Sequence, residues 1–463
     1  MLLAILGGVL ALAVASGPGP QEPPPPVAYP QADTPDPAGG GPSDDVLTIR
    51  AVQEVFTLDA ASGSVARRLP PGILAPDRSV VYDALPVGSA AGGQTRWETM
   101  VRAVDVRTGR VLRRKALEGK YVLPWVDSTG PGGLSPDGQW LVLQAEPEQA
   151  SPSQTPPDLT RFVVLDTALT RAPRHVVLDG VFSFDAVDNA ASALFLIEYL
   201  SSPDGSEMTP YRVRFYDLVA DRLDPAIIAD KRNAEQVMTG QRFKTLASPD
   251  GQWLYSLYLN NHHGPFIHVL NLGGRYAFCI DLPDTAKMDG SAQAFWSLLP
   301  APGGRTLYAV NGALGLVALV DTVDLRVQRV IELQLPRADA PSVPARIAAW
   351  LVPTVHAKGL AAGGAALSPD GRTLWLAGRQ GLLVVDTGSW TVRDTYLPDR
   401  TLADVASSPD GARLYAVSVD GEEGSLGHLV QLDPAGGRLV ADVAAIRLFS
   451  AIIRVESRPA AGR

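Results

Sequence analysis

Cysteine is nearly absent from the sequence. Cys279, in "YAFCIDL", is the only one in 463 residues. An intramolecular disulfide is excluded, and the paired CxxC and Cys/His spacings of structural zinc sites do not occur. Its apolar flanks predict a thiol packed in a buried strand rather than a reactive one. Histidine is scarce too, with six in the chain. Runs of Lys or Arg are missing. With 40 basic against 49 acidic residues and a net charge of −9, nothing supplies the basic patch that nucleic acid requires or the polybasic segment that holds anionic lipid. No nucleic-acid partner is expected. The G-x-S-x-G, S-x-x-K, P-loop and C-x-x-C-H signatures do not appear, and no cofactor is expected.

What is abundant is turn chemistry: 44 glycines and 39 prolines, beside a hydrophobic content of 46% that can fill a large core. The first residues, "MLLAILGGVLALAVAS", form an uncharged apolar run that is short for a membrane span and ends in Ala13-Val14-Ala15. Residues 1–15 read as an export signal or, if uncleaved, an N-terminal anchor, the one route to a membrane. The Pro/Gly/acidic stretch 16–45 holds Glu22, Asp33, Asp36, Asp44 and Asp45. Such a composition cannot bury enough apolar surface to fold and is read as a disordered spacer. The predicted body is 46–459, with a short tail at 460–463.

One turn recurs. "LSPDGQW" (134–140), "ASPDGQW" (247–253), "LSPDGRT" (367–373) and "SSPDGA" (407–412) are each followed by an apolar run. Ser suits the first position of a type I turn, Pro presets φ at the second, and Gly supplies the left-handed residue that closes the hairpin. Degenerate copies stand at 75–85, 188–200 and 301–310. After each comes an apolar strand ending in Asp or Asn, a short turn and another strand. The marker residues are Asp59, Asp105, Asp166, Asp217, Asn271, Asp321, Asp386 and Asp433. Their side chains are expected to accept backbone N–H groups of the following turn. Four strands recurring every 46–65 residues are the signature of an all-β propeller. The count is eight blades, or seven if the first hairpin packs outside the ring. Only seven lead-in turns exist, so the first unit lacks its own innermost strand. The segment "RLFSAIIRVESRP" (447–459) is expected to pair with "VLTIRAV" (46–52) and close the ring, removing an open strand edge.

The alternation of SPDGxxLYV with VxxVDTxTxxVxxxI over 46–459 resembles the YVTN-type propellers of extracytoplasmic proteins, in the wider neighbourhood of TolB-like and WD40-like propellers. The resemblance implies the fold and an extracytoplasmic location, and it carries over no functional residue.

Strand order sorts the connections. SPDG turns and Asp-marked turns fall on one face, and long irregular loops (86–97, 118–132, 146–160, 201–210, 229–244, 259–265, 283–294, 335–364) fall on the other, which is where function is expected. Candidate ligand or partner residues there are Trp125, Arg232, His262, His263, Trp296, Trp350, His356 and Arg379. The adjacent His262 and His263 are weak metal candidates, since a metal site needs further ligands. The three tryptophans fit packing between blades at least as well as a ligand mouth, and segment 335–364 is a candidate lid or partner contact. The expected function is a non-enzymatic module that binds a protein, peptide or envelope component. The alternative is a propeller enzyme or enzyme subunit, a lactonase-like hydrolase or a partner of a periplasmic dehydrogenase, by analogy of fold alone.

Overall fold

In the turn after Leu134, the Ser135 hydroxyl donates to the Asp137 carboxylate and accepts the N–H of Trp140. The same pair of bonds recurs at Ser248/Asp250, Ser368/Asp370 and Ser408/Asp410, with N–H to Ser Oγ distances of 2.9–3.0 Å throughout. The Asp oxygen also takes a backbone N–H from two residues on, at 2.9–3.1 Å. The Ser hydroxyl bond, followed by that backbone N–H, holds the carboxyls of Asp250, Asp370 and Asp410 below the usual range. Gly371 shows why the fourth residue is glycine. Its φ is +69°, and a Cβ there would stand 2.5 Å from Pro302 in the preceding blade's turn. The repeated turn is therefore a self-satisfying hydrogen-bond unit and a contact between blades.

The marker acids behave as the sequence predicts. Asp59 accepts from Ser62, Asp105 from Thr108, Asp166 from Thr170 and Arg171, and Asp217 from Val219 and Ala220. Asn271 accepts from Gly274, Asp321 from Val323 and Asp324, Asp386 from Ser389, and Asp433 from Ala435.

Each lead-in turn and marker turn joins two antiparallel strands. The computed structural model describes residues 45–51, 54–91, 94–127, 130–146, 159–200, 209–230, 237–260, 264–283, 290–335, 364–419, 426–447 and 451–457. Eight four-stranded antiparallel sheets stand in a ring, an eight-bladed β-propeller. The seventh blade, for example, runs Ala365–Leu367, Thr373–Gly378, Gly381–Asp386 and Thr391–Tyr396 from inside to outside.

The first blade holds the closure. Its three N-terminal strands, Val46–Ala51, Glu54–Asp59 and Val65–Leu69, are completed by Ala451–Glu456, which pairs antiparallel with Val46–Ala51. This is the predicted pairing with one adjustment: Arg447 ends the outermost strand of the eighth blade, Leu439–Arg447, and the closing strand starts at Ala451. Tyr415 of the eighth blade, fully buried, donates its hydroxyl to Asp45 at 2.8 Å and staples the joint.

Between blades the core is apolar. Leu374, Leu376, Leu383 and Val385 of the seventh blade meet Val310, Val317 and Ile331 of the sixth. Each such side chain contributes about 1.5–3 kcal/mol on burial, and middle strands buried on both faces explain why their sequences read as unbroken apolar runs.

Three expectations need correction. Within segment 86–97, read as an irregular loop, residues 86–91 and 94–97 instead pair as a ribbon that continues the strands Val80–Ala91 and Gln94–Asp105 of the second blade. Cys279 lies on the outermost strand of the fifth blade, Tyr276–Asp281, and is half-buried, because it lines an open groove at the rim with Asp230 and Leu325–Val327. Segment 118–132 contains ordered strands, which matter for the channel.

Candidate functional site at the central channel

The innermost strand of each blade enters from the irregular face and leaves through the lead-in turn. Four residues before the first turn residue, four successive blades place Lys244, Ser297, Gly364 and Asp404. This position is polar or side-chain-free where the middle strands are apolar, as expected for groups facing a central channel. Lys244 donates to the Ser297 hydroxyl at 2.7 Å. Asp404 is half-buried; desolvation raises its pKa, opposed by the charge of Lys244 from across the ring. Its Oδ2 accepts the N–H of Ile452 in the closing strand at 2.8 Å. Gly364 leaves the space Asp404 uses, since a Cβ there would fall 1.9 Å from Asp404 Oδ1.

Register shifts set off Asp185 in the fourth blade and Phe243 in the fifth, in strands Phe182–Val187 and Gln241–Ala247. Such bulges re-aim side chains. Here they bring Asp185 and Arg242 together in a salt bridge with side chains 2% and 5% exposed. Arg242 also donates its Nε to the Val126 carbonyl at 2.9 Å.

Val126 belongs to a feature that no other blade has among the described residues. The innermost strand of the third blade is interrupted after Tyr121–Val122 by a small hairpin, Trp125–Asp127 with Gly130–Pro131, before Leu134 bridges to Leu141. The hairpin packs against the innermost strands of the fourth and fifth blades, and its backbone at Gly130 lies beside the Arg50 side chain of the first. It therefore reaches into the channel. Trp125 leaves 58% of its surface exposed, the largest aromatic so exposed among the described residues.

The other candidates divide. Trp296 is 1% exposed, its indole N–H donates to Gln293 at 2.7 Å, and it packs in the seam between the fifth and sixth blades. It is a core residue and lines no mouth. Arg379 sits in the irregular-face turn of the seventh blade with its guanidinium 5.7 Å from the Phe295 ring centroid. Arg232, His262, His263, Trp350 and His356 lie outside the described residues, as does 336–363. Among the described residues no group of three or more His, Cys, Asp or Glu is placed to hold a metal ion, and no helix is long and apolar enough to cross a membrane.

Sequence reasoning missed Asp185, Arg242, Lys244, Ser297 and Asp404. A signal existed: "FSFDAV", "QRFKTLAS" and "TLADVAS" each carry a charge inside the strand that leads into a turn.

Neither a protein-family model nor a curated protein sequence matches the chain. Similar solved structures include Kuenenia stuttgartiensis hydrazine synthase, at 18% identity over 56% of this chain and 63% of that one, with a TM-score of 0.32. The chain thus spans less than two thirds of that structure's chain. Dihydro-heme d1 dehydrogenase NirN in complex with DHE matches at 14% identity over 96% of this chain and 84% of that one, TM-score 0.46. The Pseudomonas aeruginosa periplasmic gluconolactonase PpgL matches at 17% identity over 82% and 100%, TM-score 0.39. With TM-scores below 0.5, these likenesses carry no assignment for this chain.

Proposed function

We propose that the protein is an exported, YVTN-like propeller that binds a protein, peptide or cell-envelope component through its irregular face, with the channel hairpin as anchor. The observation that carries this reading is Trp125: a large aromatic with 58% of its surface open, on a hairpin whose backbone is tied to a buried ion pair through Arg242 and Val126. Exposed apolar surface on a fixed backbone is costly to keep without use, and rigid aromatics are the commonest energetic centres of interfaces. Export rests on the apolar segment ending in Ala-Val-Ala and the spacer after it.

The test is equilibrium binding of the purified protein and of Trp125→Ala to a peptide array and to isolated envelope fragments. The expected result is a ligand bound by the wild type and weakened at least about tenfold by the substitution, with Tm unchanged. Equal binding by both proteins counts against the anchor.

A second reading is favoured by one contact. Lys244 on Ser297, with Asp404 within reach of the lysine's charge, is a hydroxyl with an amine in reach, the arrangement of Ser–Lys nucleophiles. On that reading the protein is a hydrolase of lactone-like esters, and turnover would be lost in Ser297→Ala but kept in Trp125→Ala.

A further inference from the structure

Four buried side-chain atoms meet in one seam of the ring: Asp185 Oδ2 and His268 Nε2 have no hydrogen-bond partner among the described residues, and the Tyr211 and Tyr258 hydroxyls have at most each other. All line the junction between the fourth and fifth blades, and their residues are 3%, 3%, 2% and 1% exposed. They are neighbours. The Tyr211 and Tyr258 rings stack with centroids 6.3 Å apart, and Tyr258 meets His268 edge-on at 6.1 Å. Asp185 exerts the strongest charge effect on His268 and also acts on both tyrosines. Buried polar atoms are bonded in the great majority of folded proteins, and leaving several dry in one place would be costly.

The chemistry of the lining selects the occupant. Asp185 and Arg242 cancel in charge. Burial, ahead of any neighbouring charge, raises both phenols and lowers the imidazole, so at neutral pH the site offers two hydroxyls, one carboxylate oxygen and one neutral ring nitrogen. Arg242 opposes a cation, and the second carboxylate oxygen opposes an anion. A small neutral molecule that both donates and accepts fits all four groups.

We propose that this seam encloses ordered water, bridging Asp185 Oδ2, the Tyr211 and Tyr258 hydroxyls and His268 Nε2. The bridge has a consequence for the whole wall. His268 Nδ1 lies 3.8 Å from the Cys279 sulfur, and the Cys279 N–H donates to Asp230 at 2.7 Å. Cys279 and Asp230 line an open groove of about 490 Å³ at the rim, with Asp281 and Arg326. At the other end, Arg242 joins Asp185 to the channel hairpin. The water completes a polar track running radially from channel to rim through a seam that is otherwise apolar, with Phe195, Phe215 and Leu270 around it. This assignment is independent of any ligand at the channel.

Two measurements test it. A crystal structure of the wild-type protein near neutral pH, with anomalous data, should show water density within about 3.2 Å of at least two of the four atoms. An anomalous peak there makes the occupant a metal ion and overturns the proposal, as does empty density. In solution, Tyr258→Phe and Tyr211→Phe should each lower Tm by about 2 °C, because each removes a satisfied hydroxyl. In a dry seam the two hydroxyls have only each other, so the paired variant Tyr211→Phe/Tyr258→Phe would cost no more than either single change; that outcome, or an unchanged or higher Tm in both single variants, overturns the proposal.

Discussion

The two faces of the ring are built from the same strands and obey different rules. On one, Ser-Pro-Asp-Gly turns repeat the same three hydrogen bonds in four blades, and a proline of one turn fills the space over the glycine of the next. On the other, the described connections are of several kinds: a short Gly-Arg-Gln-Gly turn at 378–381, a 3-10 helix at Gly290–Phe295, extended strand ends at 86–91 and 94–98, a hairpin in the channel, and two blade crossings at Gly119 and Gly180 that are each braced by a threonine. The repeated face spreads its stabilisation over many equivalent small contacts. The irregular side of the channel concentrates it in a few buried charges.

Mutations should expose that difference. The largest effect is expected from Arg242→Ala, which leaves Asp185 buried without its charge partner. Unpaired buried charges of this kind cost about 3–5 kcal/mol, and chemical denaturation should register the loss as a lower midpoint. Ser408→Ala removes one copy of the turn network, where Ser408 both donates to Asp410 and accepts from Arg413. It should cost about 1 kcal/mol by the same assay. A loss comparable to that of Arg242→Ala would mean that the two faces are not organised differently.

The smallest effect concerns pH. His268 lies within reach of the charges of Asp185, Arg242 and Asp230, and burial lowers its pKa below the ordinary 6.5 in the fold. The unfolded chain therefore binds a proton at a pH where the native chain does not. Stability from this group is complete above pH 6.5 and declines as pH falls below it, levelling off beneath the native value. Thermal midpoints measured from pH 8 to 5 should show a shallow fall beginning near 6.5, absent in His268→Gln.

How much of this was legible in the sequence follows from where the information sits. The turns were legible because Ser, Pro, Asp and Gly each have a local reason to be there, satisfied within about five residues. The blade count and the pairing of the two chain ends followed from repetition and one missing strand. The channel groups were not legible in the same way. Asp185 and Arg242 come from different blades, and register shifts at Asp185 and Phe243 aim them at each other. No local spacing encodes that meeting. Trp296 illustrates the converse: a tryptophan at a blade junction reads equally as wall or core, and only its indole bond to Gln293 and its 1% exposure decide for core. Trp125 reads the same way in sequence and is open, because a hairpin carries it out of the strand.

The pairing of Ala451–Glu456 with Val46–Ala51 has a consequence for the order of events during synthesis. The strands made first are finished last. Until some four hundred further residues have been added, Val46–Ala51 presents its backbone edge to whatever strand is nearby, and contacts of such long sequence separation form slowly. Folding to the final ring is thus an event of the whole chain, suited to a polypeptide kept extended until its last residue is made. A chain that stops before Ala451 would keep seven intact blades and one sticky edge.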